Sequence, residues 1–283
     1  MILAILGPTG VGKTKMSIEL AKKYNAIIIN CDAMQVYKDL NIGTAKVTEE
    51  EKEGIKHYLF DIRDINEDYS VFDYQKDARR IIEENKDKNI IFVGGTGLYL
   101  KSALYDYRFE EDTEEKKQYE DLSNEELYEL VLKKDPNTQI HKNNRVRLVR
   151  FLNKKDTTSV EPKPLYEHKI IGLTTDRDIL YERINKRVDI MVENGLLNEV
   201  KTFYDKGIKT KPLMGGIGYK ELYEYFDNKV TLEEALDKIK QNSRHYAKRQ
   251  YTFFNNQLDM NWFNVDFNNF QNTIDEVINF IEK

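Results

Sequence analysis

The residues most suited to chemistry open the chain. Gly7, Pro8, Thr9, Gly10, Val11, Gly12, Lys13 and Thr14 fit G-x-x-x-x-G-K-[ST], directly after an apolar run and directly before an amphipathic one. Glycines let backbone N–H groups turn inward around phosphate oxygens, and the helix N-terminus adds partial positive charge. Lys13 is expected to bridge the outer phosphates of a diphosphate and the Thr14 hydroxyl to ligate Mg²⁺. The bland alternative is a glycine-rich turn that holds nothing. An ATPase, a small-molecule kinase and a transferase that releases diphosphate all use such a nucleotide-binding loop, so the rest of the site must decide between them.

A second run, AIIIN, leads into Asn30, Cys31, Asp32, Ala33, Met34, Gln35, Val36 and Tyr37. It places the Asp32 carboxylate at the carboxyl edge of a sheet, where open α/β folds bind ligands. There Asp32 can accept a proton from a nucleophile or hold magnesium through water; otherwise it is a capping or turn aspartate. A third run, NIIFV, lacks the terminal aspartate of an ATP-driven motor and gives Gly94, Gly95, Thr96, Gly97, Leu98 and Tyr99 instead. Paired glycines bring backbone close to a ligand and Thr96 offers a hydroxyl, unless Thr96 merely caps a helix.

These loops need a rigid frame. Continuous β-branched runs at 2–6, 26–30 and 89–94 alternate with amphipathic segments at about 13–24 and after Ser70, which predicts a parallel sheet covered on both faces. From about Asp106 the pattern turns to polar helices, with a Ser123/Glu126 capping box. HKIIGL at 168–173 restores a strand, Asp176 is expected to cap a helix ended by Gly195, and Gly207, Pro212 and GGIG at 215–218 read as loops. Thr231 and Glu234 box a long helix to about Asn255, and residues 260–265 add a last strand. The expected fold class is α/β, a P-loop kinase-like parallel sheet with helices on both faces and an inserted all-helical lobe. The expected divisions are a core at 1–105, an insert at 106–165 and the resumed core at 166–283.

Bulk properties narrow the partners. A chain of 283 residues buries a substantial core. The single cysteine, Cys31, excludes a disulfide framework and suits a reducing compartment, so a cytoplasmic location is expected. The glycine loop begins at Gly7, too early for a cleaved signal, and a mean hydropathy of -0.68 without a long apolar run predicts no membrane span. A net charge of -5 argues weakly against nucleic acid, but the charges segregate. Acids (Glu110, Glu111, Asp112, Glu114, Glu115, Glu120, Asp121) crowd 110–130, while His141, Lys142, Arg145, Arg147, Arg150, Lys154 and Lys155 fill 141–155 with no acid. In a helix Arg147, Arg150 and Lys154 share one face, with Leu148, Phe151 and Leu152 on the buried stripe. Gln241, Arg244 and Lys248 align likewise, with Arg249 and Tyr251 adjacent. Each face suits phosphates, or is simply solvated. Arg183 and Arg187, one turn apart, reach the diphosphate or form surface ion pairs. His57, His168 and His245 lack metal-ligand spacing, and Met34, Met191 and Met214 read as core or loop residues.

Taken in order, GPTGVGKT, CDAMQVYKDLNIGTAK, HYLFDI, VGGTGLYL, RVRLVR, GIGYKE and AKRQYTFF resemble the tRNA dimethylallyltransferases over most of the chain. The resemblance implies transfer of a dimethylallyl group from dimethylallyl diphosphate to the exocyclic amine of the adenosine 3′-adjacent to the anticodon in tRNA. It implies Asp32 as general base, and Asp32, Ala33, Met34 and Gln35 as an RNA-contact segment. Thr9 to Thr14 match the donor diphosphate site, and Thr96 the threonine beside the reacting amine. Val146, Arg147, Leu148, Val149 and Arg150 match an RNA-contacting helix, and Gly215, Gly216, Ile217, Gly218, Tyr219 and Lys220 a second RNA-contacting stretch. The chain departs from the family at Asn144 and Gly215, where members carry aspartate and, in some, arginine; one cysteine also cannot build the zinc finger of some members. A monomer is expected.

Ionisation of an allylic diphosphate needs stabilisation of the departing charge, which the loop amides, Lys13 and Mg²⁺ would supply. The adenine amine needs a proton acceptor, and the base must leave its stack. The chief rival is a P-loop small-molecule or nucleotide kinase, with Asp32 activating a hydroxyl. A prenyltransferase for free nucleotide leaves the helical insert unexplained, and an RNA-binding module without activity has no use for Lys13 and Thr14.

Overall fold

The computed structural model describes residues 1–107, 119, 121–153 and 162–283. They divide into two compact units, Met1–Asp106 with Pro164–Lys283, and Tyr107–Lys163.

The larger unit is a six-stranded parallel sheet in the order β3-β2-β4-β1-β5-β6. In chain order it runs β1 (Ile2–Leu6), α1 (Lys13–Tyr24), β2 (Ala26–Asn30), β3 (His57–Tyr58), α2 (Val71–Glu84), β4 (Asn89–Gly94) and α3 (Gly97–Leu104). The smaller unit supplies α4 (Asn124–Lys134) and α5 (Arg145–Asn153). The larger unit resumes with β5 (Lys169–Thr174), α6 (Arg177–Glu193), α7 (Leu196–Asp205), α8 (Lys211–Gly215), α9 (Tyr219–Phe226), α10 (Leu232–Gln257), β6 (Asn261–Asn264) and α11 (Phe270–Ile281).

The four central strands β2, β4, β1 and β5 are mostly apolar because both their faces are covered. Leu3 and Ile5 of β1 face a core with Met16 and Leu20 of α1, Leu180 and Ile184 of α6, and Ile274 and Val277 of α11. Ala4 and Leu6 face the opposite core, with Tyr74 and Ala78 of α2, Leu100 and Leu104 of α3, and Phe254 of α10. Ser70 starts α2 through a capping box with Asp73. A third cluster packs Val36, Tyr37 and Leu40 against Leu196 and Val200 of α7, Tyr219 and Leu222 of α9, and Ile239 of α10. It anchors the segment that follows Asp32.

Two sequence expectations are corrected. Pro212 and Gly215, read as loop positions, lie in α8, whose Leu213 helps close the third cluster, whereas Gly207 and residues 216–218 lie between helices as read. Asp176 occupies the N-cap of α6 but its side chain makes no capping bond. The two-residue β3 and the helix α11 had no clear signal: β3 is too short to alternate, and α11 follows β6 without a side-chain cap.

In the smaller unit, Ser123 and Glu126 form their capping box and Leu127, Val131 and Leu148 make a fully buried core. Arg145 donates to the Tyr119 and Leu122 carbonyls. Glu110, Glu111, Asp112, Glu114, Glu115, Glu120, Lys154 and Lys155 lie outside the described residues.

Candidate active site

Three loops leave the carboxyl edge of neighbouring strands. In register, Leu6 of β1 pairs with Gly94 of β4, and Asn30 of β2 with Val93, so the phosphate loop, the turn at Asp32 and the turn at Thr96 emerge side by side. A Cβ on Gly94 would stand 2.2 Å from the Cys31 carbonyl oxygen, so only glycine lets the β4 and β2 exits approach this closely.

The Asp32 N–H donates to Asn30 Oδ1 at 3.0 Å. Its own Oδ1 accepts from the Met34 N–H at 2.9 Å, which leaves Oδ2 with no hydrogen bond among the described residues. The side chain is half-buried rather than turned into the core. Of its two oxygens, one is committed to holding the turn and the other is available to take a proton.

Gly10 and Gly12 hold φ of 83° and 100°, the left-handed backbone that curls the phosphate loop. Lys13 Nζ donates to the Gly7 and Pro8 carbonyls at 3.0 and 2.8 Å, so the ammonium lies across the mouth of the loop. Burial first and the Arg187 guanidinium second lower its pKa to about 7, against the opposing pull of the Asp32 carboxylate. That cross-influence places Lys13, Arg187 and Asp32 within electrostatic reach of one another. Arg187 is lowered chiefly by burial, with Asp32 and Glu51 opposing, and its Nε is buried with no hydrogen-bond partner among the described residues. A half-buried arginine with its Nε buried and unused, in electrostatic reach of a lysine, suits an anion. Arg183 donates through Nε to the Gly10 carbonyl at 3.0 Å and stacks on Phe267 at 3.7 Å. Neither arginine forms an ion pair among the described residues.

Thr96 stands at the N-cap of α3 without capping it. Its hydroxyl instead accepts from the Ala33 N–H at 3.2 Å and meets the Tyr246 hydroxyl. Burial, with the Asp32 carboxylate second, pushes the Tyr246 phenol above its ordinary range. Sequence reasoning assigns no role to Tyr246 or Gln250. Gln250 is 4% exposed, accepts from the Thr9 N–H at 3.2 Å and donates to the Gly95 carbonyl at 3.1 Å. One side chain from α10 thus ties the phosphate loop to the glycine turn. Both residues fall in the acid-free stretch of α10, but which face turns inward is set by tertiary packing.

The remaining expected residues separate by exposure. Thr14 is exposed and its hydroxyl makes no hydrogen bond among the described residues, and no three carboxylate, histidine or cysteine groups converge there to cage a metal. A cation would need most of its ligands from bound phosphate and water, the usual habit of Mg²⁺, so the residues fit that ion. Ala33 and Gln35 are half-buried, and Gln35 donates to the Thr44 and Ala45 carbonyls. Val146 is 69% exposed and Arg147 and Arg150 are exposed, whereas Leu148 is fully buried and Val149 half-buried, supporting the helix. Gly215 and Lys220 are exposed, Ile217 is half-buried, and Gly216, Gly218 and Tyr219 are buried. Leu148 takes its expected place on the buried stripe, and Tyr219 is buried as well. Arg244 donates to Asn185 Oδ1 at 2.6 Å, and Lys248 is exposed.

Residues 35–257 match the sequence profile described as IPP transferase. The chain belongs to the IPP transferase family. The match starts beyond the phosphate loop, so it is independent of that motif. Among curated relatives, the "tRNA dimethylallyltransferase" of Anoxybacillus flavithermus is 45% identical over 99% of this chain and 96% of its own. A solved full-length tRNA isopentenylpyrophosphate transferase from Bacillus halodurans is 42% identical, covers 99% of this chain and 95% of its own, and superposes with a TM-score of 0.77. A eukaryotic dimethylallyltransferase solved acting on tRNA is 29% identical, covers 92% of this chain and 73% of its own, and has a TM-score of 0.79. The matched region takes in Gln35, Thr96, Arg187, Tyr246 and Gln250, but neither the phosphate loop nor Asp32.

Proposed function

We propose that this member of the IPP transferase family transfers a dimethylallyl group from dimethylallyl diphosphate to the exocyclic amine of the adenosine 3′-adjacent to the anticodon in tRNA. Membership supports the reaction class, and one observation supports the assignment of parts: Lys13, Arg187 and Asp32 lie within electrostatic reach of one another, with the Arg187 Nε buried and unused. Two cations without a carboxylate salt partner suit a leaving group of high negative charge, and the neighbouring carboxylate suits an acceptor that must lose a proton. The names of the relatives, and the eukaryotic one solved acting on tRNA, support tRNA as the acceptor.

In the reaction the allylic C–O bond breaks and its electron pair leaves on the diphosphate, held by the loop amides, Lys13 and Arg187. The amine nitrogen forms the new C–N bond and its proton passes to Asp32 Oδ2, the oxygen not engaged by Met34. Thr96 presents a hydroxyl fixed by Ala33 and Tyr246 beside the acceptor. Thr14 with the diphosphate oxygens would hold Mg²⁺, which supplies charge neutralisation of the leaving group. Arg147, Arg150, Lys220 and Lys248, all exposed, are the side chains offered to RNA phosphates. A kinase is disfavoured because β4 ends in Gly94 and Gly95 rather than a metal-binding carboxylate.

Among the described residues no helix is long and apolar enough to cross a membrane. We place the enzyme in the cytoplasm with its tRNA substrate, acting as a monomer. The test is incubation with Mg²⁺, labelled dimethylallyl diphosphate and unmodified tRNA, with AMP and ATP in parallel. Label in RNA alone is the expected result; ATP consumption without prenyl transfer would reject the reading.

A further inference from the structure

Away from the phosphate loop, one carboxylate is used in an unusual way. Glu199 of α7 accepts three consecutive backbone N–H groups, from Asn41 at 3.0 Å, Ile42 at 2.7 Å and Gly43 at 3.0 Å, and also the Tyr219 hydroxyl at 2.6 Å. Three amides converging on one carboxylate form an anion-binding nest, here filled by the protein's own side chain. Tyr219 is fully buried, and its ring lies where a Cβ on Gly43 would come within 2.7 Å. The turn is thus gripped by charge on one side and by ring packing on the other.

The turn continues into the Asp32 segment. Gln35 donates to the Thr44 and Ala45 carbonyls at 3.0 and 3.4 Å, Lys46 N–H returns to the Asn41 carbonyl at 2.9 Å, and the Lys46 ammonium binds the Tyr37 carbonyl. Met34 packs where a Cβ on Gly216 would meet its methyl at 2.8 Å. Residues 32–46 are therefore held from behind by α7, α8 and α9, through contacts made neither to the phosphate loop nor to Lys13.

We propose that Glu199 and Tyr219 are positioning residues for the acceptor side alone: a latch that fixes the turn at residues 41–43 and, through Gln35 and Met34, presents the Asp32 segment to the RNA base. The proposal rests on the tRNA-prenylating reading above. It predicts an asymmetry that general destabilisation does not produce, because the diphosphate cradle has its own supports in Gln250 and Arg183.

The experiment compares wild type with Glu199→Gln, Tyr219→Phe and Gly43→Ala in steady-state transfer, varying tRNA and dimethylallyl diphosphate separately, with calorimetry of inorganic diphosphate alongside. Gln keeps the shape of Glu199 but aims an amide at the nest, and losing hydrogen bonds to a charged group predicts a rise in KM for tRNA of about tenfold. KM for the donor and the Kd for diphosphate stay within about twofold, as when one substrate's binding alone is touched. Tyr219→Phe, which removes a single hydroxyl, raises the tRNA KM by about threefold, and it carries the test should Glu199→Gln fold poorly. Equal rises for both substrates, or no rise for tRNA, would overturn the latch. Absence of prenyl transfer by wild type would instead overturn the functional reading.

Discussion

In the phosphate cradle, Lys13, Arg183 and Gln250 are each held by main-chain partners, two of them across more than a hundred and fifty residues of sequence. On α5, Arg147 and Arg150 stand exposed, and their guanidinium groups have no partner among the described residues. The difference follows from what each region must bind. A leaving group whose charge grows in the transition state is stabilised best by donors that need no rearrangement, so the cradle is preorganised. A phosphate backbone is long and repetitive, and mobile surface cations meet it adequately through charge alone. Substitutions in the cradle region should therefore act on turnover, and those in the helical unit on RNA affinity.

The strongest break of this comparison is Asp32→Asn. Loss of a general base lowers single-turnover transfer by roughly 10² to 10⁴, while tRNA affinity stays within a few fold and diphosphate affinity does not fall, because a negative charge beside Lys13 is removed. Near-normal turnover in a rapid-quench measurement would take Asp32 Oδ2 out of the mechanism.

Next in size is Leu148→Ala. The helical unit has only three fully buried apolar side chains among its described residues, so truncating one removes about 2 to 5 kcal/mol from a small core. Calorimetry should show a separate low-temperature transition, with weakened tRNA binding and unchanged diphosphate binding. A single transition shifted as a whole would mean the two units do not unfold independently.

Much of this was legible before the structure, and the part that was not has one cause. The glycine loop between strand and helix, the strand endings before Asp32 and at Gly94 and the Ser123 box are local patterns, and each forms where its spacing says. Gln250, Tyr246 and the Glu199 latch are long-range contacts, and charge and hydropathy along α10 or α7 do not say which face meets a loop far away in the sequence. The basic helix shows both sides of this: Leu148 takes the buried stripe as its spacing says, yet nothing in RVRLVR says that Arg145 is spent on the Tyr119 and Leu122 carbonyls.

That division of the arginines gives a smaller and sharper effect. Arg147→Ala and Arg150→Ala should each reduce the slope of log affinity for tRNA against log salt by about one, with thermal stability unchanged. Arg145→Ala should do the reverse, destabilising the helical unit while leaving the slope nearly intact, since its donors already serve backbone carbonyls. Binding isotherms at several salt concentrations distinguish the two. Equal slopes for all three variants would show that exposure on α5 does not predict phosphate contact.

The smallest effect concerns a proton. Burial holds free Lys13 to a pKa of about 7, so above that pH the empty cradle contains a largely neutral amine. A bound diphosphate favours the ammonium and raises its pKa, so binding takes up a proton in the window between about 7 and the higher bound value. Affinity from this group falls as pH rises through the window, by at most about tenfold per unit, and is flat below it. Calorimetric titration of inorganic diphosphate in two buffers of different ionisation heat, at about pH 8, should report uptake approaching one proton. Asp32 opposes the lowering of Lys13, so Asp32→Asn should move the onset to lower pH. If Lys13→Met leaves the proton uptake of wild type unchanged, the titrating group is not Lys13, and the cradle's charge is fixed rather than summoned by its ligand.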